Sequence, residues 1–271
     1  MKDRRVMDTK TVYSTKAEKY EMYRWDYSSS AIEAIIERTQ MSSNSRFADL
    51  GAGTGILTRH FVTNTQKIYA IEPNFELRQI LIRNLGVSPS ITIIEGSAEA
   101  TNLPNNSVDI IMVAQAIHWF DPEPARREMI RILVDDGWLV LLRNYGTSTN
   151  SERDEAERCL MTEEFGADFT VVNEHLKEKP VHYYFGNDDF HTFVFPFTFQ
   201  QDWTGFIGSL TTASFMPDED HPQYPKLETE ARKIFDQYSN HGQWQVNGET
   251  ELIIGRLSNK PVMPAITNSN E

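Results

Sequence analysis

The 271 residues contain one cysteine, Cys159, which excludes a disulfide within the chain and any cysteine-built metal cage. Basic residues are also short: 26 Lys and Arg stand against 39 Asp and Glu, a formal charge of −13. A field of that sign pushes polyphosphate and anionic lipid away, so neither nucleic acid nor membrane is an expected partner. No run approaches the ~20 apolar residues of a membrane span. The opening Met-Lys-Asp-Arg-Arg-Val-Met-Asp leads into no apolar stretch of signal-peptide length, which makes the cytoplasm the expected compartment. The seven histidines fall in no metal-ligand spacing, and no metal is expected. There is no internal repeat, and nothing in the sequence bears on oligomeric state.

What is present is a soluble composition, 39% hydrophobic and 24% charged, in a chain long enough for one large α/β domain with additions. Its most informative run is Phe47-Ala48-Asp49-Leu50-Gly51-Ala52-Gly53-Thr54-Gly55, followed by Ile68-Tyr69-Ala70-Ile71-Glu72-Pro73. A short apolar strand arrives at three alternating glycines, which let the backbone turn tightly without a Cβ. A helix is expected from about Ile56 to Thr63, beginning beneath a ligand. Glu72 lies 21 residues after Gly51, at the end of the next strand, where a carboxylate can accept both hydroxyls of a ribose.

The turn departs from the dinucleotide fingerprint, because its sixth position is Ile56 and its last glycine, Gly55, is fifth. There is no Gly-Lys-Ser/Thr and no basic residue to meet a diphosphate. Asp49, just before the turn, repels phosphate and suits an ammonium group or the water around one. An unphosphorylated, zwitterionic amino acid joined to a nucleoside fits both acids. On these residues the chain resembles the class I S-adenosylmethionine-dependent methyltransferases, whose first motif reads Asp-x-Gly-x-Gly-x-Gly and whose second ends in an acid. The resemblance implies S-adenosyl-L-methionine as cofactor, S-adenosyl-L-homocysteine as product, and a doubly wound, mostly parallel, seven-stranded Rossmann-like α/β sheet.

Further elements follow that plan. Helical patterns cover Thr15 to Tyr23 and Ser29 to Thr39, then about Phe75 to Asn84 with Gly86 as C-cap. Strands are expected at Ser90 to Ile94, Val108 to Ala114 and Trp138 to Arg143, with a helix from about Pro122 to Leu133 that Asp121 can cap. Asp135-Asp136-Gly137 reads as a turn rather than a metal pair. Later, Phe193 to Phe199 reads as a strand, Trp203 to Ala213 and Pro225 to Tyr238 as helices, and Gln243 to Leu257 as one or two closing strands. The expected organisation is a helical lid at 1–40, a cofactor-binding core at 41–146, and a cap contacting the acceptor at 147–192, aromatic at His182 to Phe185. Residues 193–257 complete the sheet, and 258–271 form a disordered tail.

Other candidate residues lie at strand ends. Ser97-Ala98-Glu99 leaves the third strand and can offer backbone N–H groups and an acceptor to an adenine edge. Ala114-Gln115-Ala116-Ile117-His118-Trp119-Phe120-Asp121 leaves the fourth: Ala114 and Ala116 make room, Gln115 can bond the amino-acid portion, and His118 and Trp119 face the acceptor. This run is similar to the matching motif of the trans-aconitate methyltransferase-like, small-molecule branch. In the N-terminal aromatic cluster, Tyr13 and Tyr20 are candidate contacts to a sulfonium, and Arg24 can fork onto the cofactor carboxylate. The cofactor set is therefore Tyr13, Tyr20, Arg24, Asp49, Gly51, Ala52, Gly53, Gly55, Glu72, Pro73, Ser97, Ala98, Glu99, Ala114 and Gln115, with His118 and Trp119 at the chemistry.

The implied reaction is methyl transfer to a small-molecule oxygen, carboxylate or hydroxyl. Transfer to nitrogen or carbon, a non-catalytic cofactor-binding protein, and an NAD(P)-dependent oxidoreductase stand as alternatives.

Overall fold

The structure, a computed structural model, describes residues 16–65, 67–147, 151–165, 181–186, 188–213 and 216–258. Tyr13 and the expected disordered tail from 259 onward lie outside the described residues. A single sheet organises the chain: β1 (Arg46–Leu50), β2 (Lys67–Ile71), β3 (Ile91–Ile94), β4 (Val108–Ala114), β5 (Leu133–Gly146), β6 (Phe190–Gln201) and β7 (Trp244–Arg256), in the order β3-β2-β1-β4-β5-β7-β6. The first five are parallel, and β7 runs antiparallel between β5 and β6. This is the seven-stranded, doubly wound arrangement expected. Its strand order reverses between β1 and β4, the switch point where such sheets hold ligands at their carboxyl ends.

Period-two alternation splits the central strands between two cores. Ala48, Leu50, Ile111 and Val113 face one side with Ala125 and Met129 of helix α4 (Pro122–Ile132). Phe47, Ile68, Ile110 and Met112 face the other with Ile32 and Ile35 of α2 (Ser29–Thr39). Burial on both sides explains why these strands read as nearly unbroken apolar runs. Helix α1 (Ala17–Tyr23) lies across the carboxyl edge, its Ala17 packed on Leu77 and Ile80 of α3 (Phe75–Leu85). Lys16 anchors its start, Nζ donating to the carbonyls of Ala213 (2.8 Å) and Met216 (2.6 Å).

Three expectations need correction. The helix after the glycine turn is only a 3₁₀ turn, Thr58–Phe61. Within it His60 N–H reaches three residues back to Leu57 O while Arg59 N–H reaches four back to Gly55 O; Thr63, Asn64 and Thr65, poor helix formers, follow soon after. The turn Asp135-Asp136-Gly137 lies inside one long β5, at an irregularity in its pairing with β4, with Asp136 at φ 58°. Lastly, the segment expected as a cap divides. Leu160, after α5 (Glu152–Cys159), joins Phe206 of α7 (Trp203–Thr211) and Leu227 and Phe235 of α8 (Tyr224–Tyr238) in a separate cluster. Tyr184 and Phe185 of α6 (Val181–Phe185) are wholly buried in the main core. Phe185 stacks on Phe190 (centroids 4.9 Å apart), and Arg126 Nε donates to Tyr184 O (3.2 Å). These aromatics are core, because their apolar area is worth more removed from water than lining an open groove.

Candidate active site

The glycine bend is stapled to the sheet: the N–H groups of Gly51 and Ala52 both donate to Ile71 O at 2.9 and 3.0 Å. Gly51, Gly53 and Gly55 all have positive φ (73°, 58° and 93°). The residues of the bend then face two ways. Ala52 is buried with Ala70 and Leu81, and a Cβ on Gly55 would stand 2.7 Å from Leu81 Cδ1. Gly51 and Gly53 instead line a cavity of about 330 Å³. A Cβ on Gly53 would meet nothing within 4 Å among the described residues, so they leave the backbone there open to close approach.

Glu72 defines one wall of that cavity. It is buried, and its carboxylate is held by backbone donors, Gly53 N–H on Oε2 and Asn74 N–H on Oε1, both at 2.8 Å. Each oxygen retains a further lone pair. Arg78 braces the junction from α3, donating to the carbonyls of Glu72 (2.8 Å) and Pro73 (3.1 Å) and pairing with Glu95 at 2.9 Å. Burial raises the Glu72 pKa from the ordinary carboxylate value, opposed by the two amide bonds.

Asp49 lies beneath the bend, outside the cavity lining, because β1 turns its side chain under the bend toward the following 3₁₀ turn. Its Oδ2 accepts from Thr58 Oγ1 at 2.6 Å, while the buried Oδ1 has no hydrogen-bond partner among the described residues. Burial pushes its pKa up to about 7, with the Thr58 bond opposing and the Glu72 charge adding. An acid whose folded pKa exceeds its unfolded one stabilises the fold relatively at low pH and loses that contribution as pH rises through the folded pKa. The protein without ligand is therefore expected to melt lower at pH 8 than at pH 5. Asp49→Asn should flatten that slope in a thermal-melt series; an unchanged slope would clear Asp49 of it.

The remaining walls come from three loops and α1. Pro73, Asn74 and Leu77 follow β2; Ser97, Ala98 and Glu99 follow β3; Ala114, Gln115, Ala116, Trp119 and Phe120 follow β4; Tyr20 closes over from α1. Glu99 Oε1 accepts from Asp121 N–H at 2.9 Å, fixing one loop to another. Of the expected cofactor residues, Tyr20, Gly51, Gly53, Glu72, Pro73, Ser97, Ala98, Glu99, Ala114 and Gln115 are brought together here. Asp49, Ala52 and Gly55 support the bend without lining the cavity. Arg24 lines a second cavity, about 680 Å³, between residues 22–30 and the end of β6, its guanidinium 5.5 Å from the Tyr20 ring centre. Trp119 lines the first cavity; His118 does not, and its ring lies 4.8 Å from that of Trp119 at 45°. Sequence reasoning missed Asn74, Leu77 and Phe120. Asn74 carried a signal, since an Asn right after Glu-Pro caps α3, its Oδ1 accepting from Leu77 N at 2.9 Å.

The donor set fits the nucleoside cofactor that the motifs imply. Glu72 presents acceptors, Gly53 leaves open backbone, two buried acids favour a cation, and among the described residues no basic side chain lines the first cavity. Among the described residues, no cluster of three or more His, Cys, Asp or Glu side chains could hold a metal ion, and no helix is long and apolar enough to cross a membrane.

Fold and bend together define the class I, Rossmann-like methyltransferase type. Residues 48–141 match the family described as methyltransferase domain. An uncharacterised methyltransferase of Mycobacterium tuberculosis is 38% identical over 125 residues, 46% of this chain and 49% of its own length. One from Schizosaccharomyces pombe is 32% identical over 133 residues, 49% of this chain and 52% of its own. The chain spans about half the length of the curated relatives it matches. Among solved structures, a protein of Anaeromyxobacter dehalogenans provisionally described as a type II methyltransferase shares the fold, with TM-score 0.63 and 18% identity over 87% of this chain and 98% of that one.

Proposed function

We propose that the protein transfers a methyl group from S-adenosyl-L-methionine to an oxygen, carboxylate or hydroxyl, of a small molecule in the cytoplasm. The observation that carries this reading is the buried Glu72 carboxylate, oriented by Gly53 and Asn74 N–H groups at the edge of a cavity that no basic side chain among the described residues lines. When bound, the cofactor supplies a methyl group already activated on a sulfonium. Glu72 would accept from the two ribose hydroxyls. Ser97, Ala98 and Glu99 would border the base, and Ala114 and Gln115 the amino-acid end. Tyr20 and Trp119 would exclude water and offer aromatic faces to a cation, worth ~0.5–2 kcal/mol. Alignment and dryness are the main contributions asked of the chain, for which oriented models give at most ~7–11 kcal/mol. The second cavity, walled by Trp25, Tyr27, Phe197 and Phe199 on the same sheet edge, offers the acceptor a place.

Calorimetry with adenosylhomocysteine and with NAD tests the cofactor. Uptake of the first and not the second is expected; the reverse overturns the reading. Tight uptake with no methylation across a broad acceptor panel would indicate a binding protein instead.

A carboxylate acceptor needs no base, whereas a hydroxyl needs one beside its proton; His118, which lines neither cavity but adjoins Trp119, is the residue proposed for that role and the one to test. With a hydroxyl substrate, His118→Ala is expected to lower kcat about 10²-fold or more while leaving adenosylhomocysteine affinity intact. Unchanged turnover would remove His118 from the mechanism.

A further inference from the structure

Asn144, near the end of β5, uses every polar group of its side chain, and its carbonyl, to join parts of the chain far apart in sequence. Its main-chain oxygen accepts from Gln115 Nε2 at 2.9 Å, and Gln115 lines the first cavity with φ in the left-handed region at 54°. Its Nδ2 donates to the carbonyls of Asp26 (2.9 Å) and Trp25 (3.4 Å). Its Oδ1 accepts from the buried Thr250 Oγ1 at 2.6 Å, and that same hydroxyl accepts the Ser28 N–H at 2.9 Å. Residues 24–28 are the link between α1, which carries Tyr20 into the first cavity, and α2; they also wall the second cavity. From its other side the link is held by Asp26, whose carboxylate meets Arg59 Nη2 (2.8 Å) and His60 Nε2 (2.7 Å) on the 3₁₀ turn after the glycine bend.

We infer that Asn144 is a positioning residue: it sets the 24–28 link, and through it Tyr20 and the partition between the two cavities, relative to Gln115 on the cavity wall. The inference rests on the cofactor reading of the first cavity. Only a side chain that donates twice and accepts once satisfies this place. An aspartate would set a carboxylate against two carbonyl oxygens, and leaving those groups without donors favours an opened link.

The test is adenosylhomocysteine calorimetry on Asn144→Asp, Thr250→Val and Thr250→Ser, each with and without Tyr20→Ala, at temperatures where all variants are folded. Asn144→Asp and Thr250→Val are expected to weaken binding about tenfold, while Thr250→Ser, which keeps the hydroxyl, stays near wild type. Tyr20→Ala should cost clearly less affinity on the Asn144→Asp background than on wild type, a non-additivity that mere loss of stability does not produce. Wild-type affinity in folded Asn144→Asp, or strictly additive losses, overturns the assignment. If the wild-type protein ignores adenosylhomocysteine, the cofactor reading falls by itself, and amide hydrogen exchange at 24–28 then judges the tie. Faster exchange in Asn144→Asp upholds it, and unchanged exchange refutes it.

Discussion

Glu72→Ala is expected to lower adenosylhomocysteine affinity about 10²-fold in calorimetry. Two hydrogen bonds from ribose hydroxyls to an ionised carboxylate account for roughly 3 kcal/mol or more, and water in the enlarged cavity restores little of their geometry. The fold should survive. The Glu72 pKa is raised by burial, so folding disfavours its charged form, and a neutral replacement does not forfeit stability at pH 7 on that account. Glu72→Gln should also bind poorly, because an amide nitrogen would face either the Gly53 or the Asn74 N–H, donor against donor. Affinity retained in both variants would end the proposed function.

The second large effect separates Gly51 and Gly55, whose added Cβ would clash with neighbouring side chains, from Gly53, whose added Cβ would enter the open cavity. Gly51→Ala carries a left-handed strain of about 1–2 kcal/mol and sets its Cβ 2.8 Å from Ala116 Cβ. Gly55→Ala adds clashes at 2.7 and 2.8 Å with Leu81 and Leu85 of α3. Overpacking adds about 1–3 kcal/mol, so both should melt markedly lower. Gly53→Ala has comparable strain at φ 58° but meets nothing within 4 Å among the described residues. Its melting temperature should fall by only about 2–4 °C per kcal/mol of strain, while adenosylhomocysteine affinity drops tenfold or more. If Gly53→Ala bound as wild type, the cofactor would not lie against this backbone.

Much of the site was legible because its signals are local. Three glycines in five residues specify a bend that few other residues allow, and an acid after the next apolar run specifies a carboxylate at the adjoining strand end. The small residues after β4 likewise lie within a few positions of a strand that alternation places on its own. Side-chain facing within the bend was not legible, since Ala52 and Gly53 are neighbours in sequence yet one packs into the core and the other bounds the cavity. The aromatics at 184 and 185 were read as a cap because aromatic density alone does not separate a groove from a core.

Local spacing by itself therefore settled the glycine bend, the place of Glu72 at the next strand end and the order of the strand-end loops, all decided by covalent geometry and period-two burial over short spans. Tertiary structure alone placed Asp49 beneath the bend with an unmet oxygen, kept His118 off the first cavity, assigned Arg24 to the second, and joined Gln115 to residues 24–28 through Asn144. Those outcomes depend on which distant segments share space once α1 crosses the sheet edge and β7 inserts between β5 and β6, and sequence separation carries no record of that meeting.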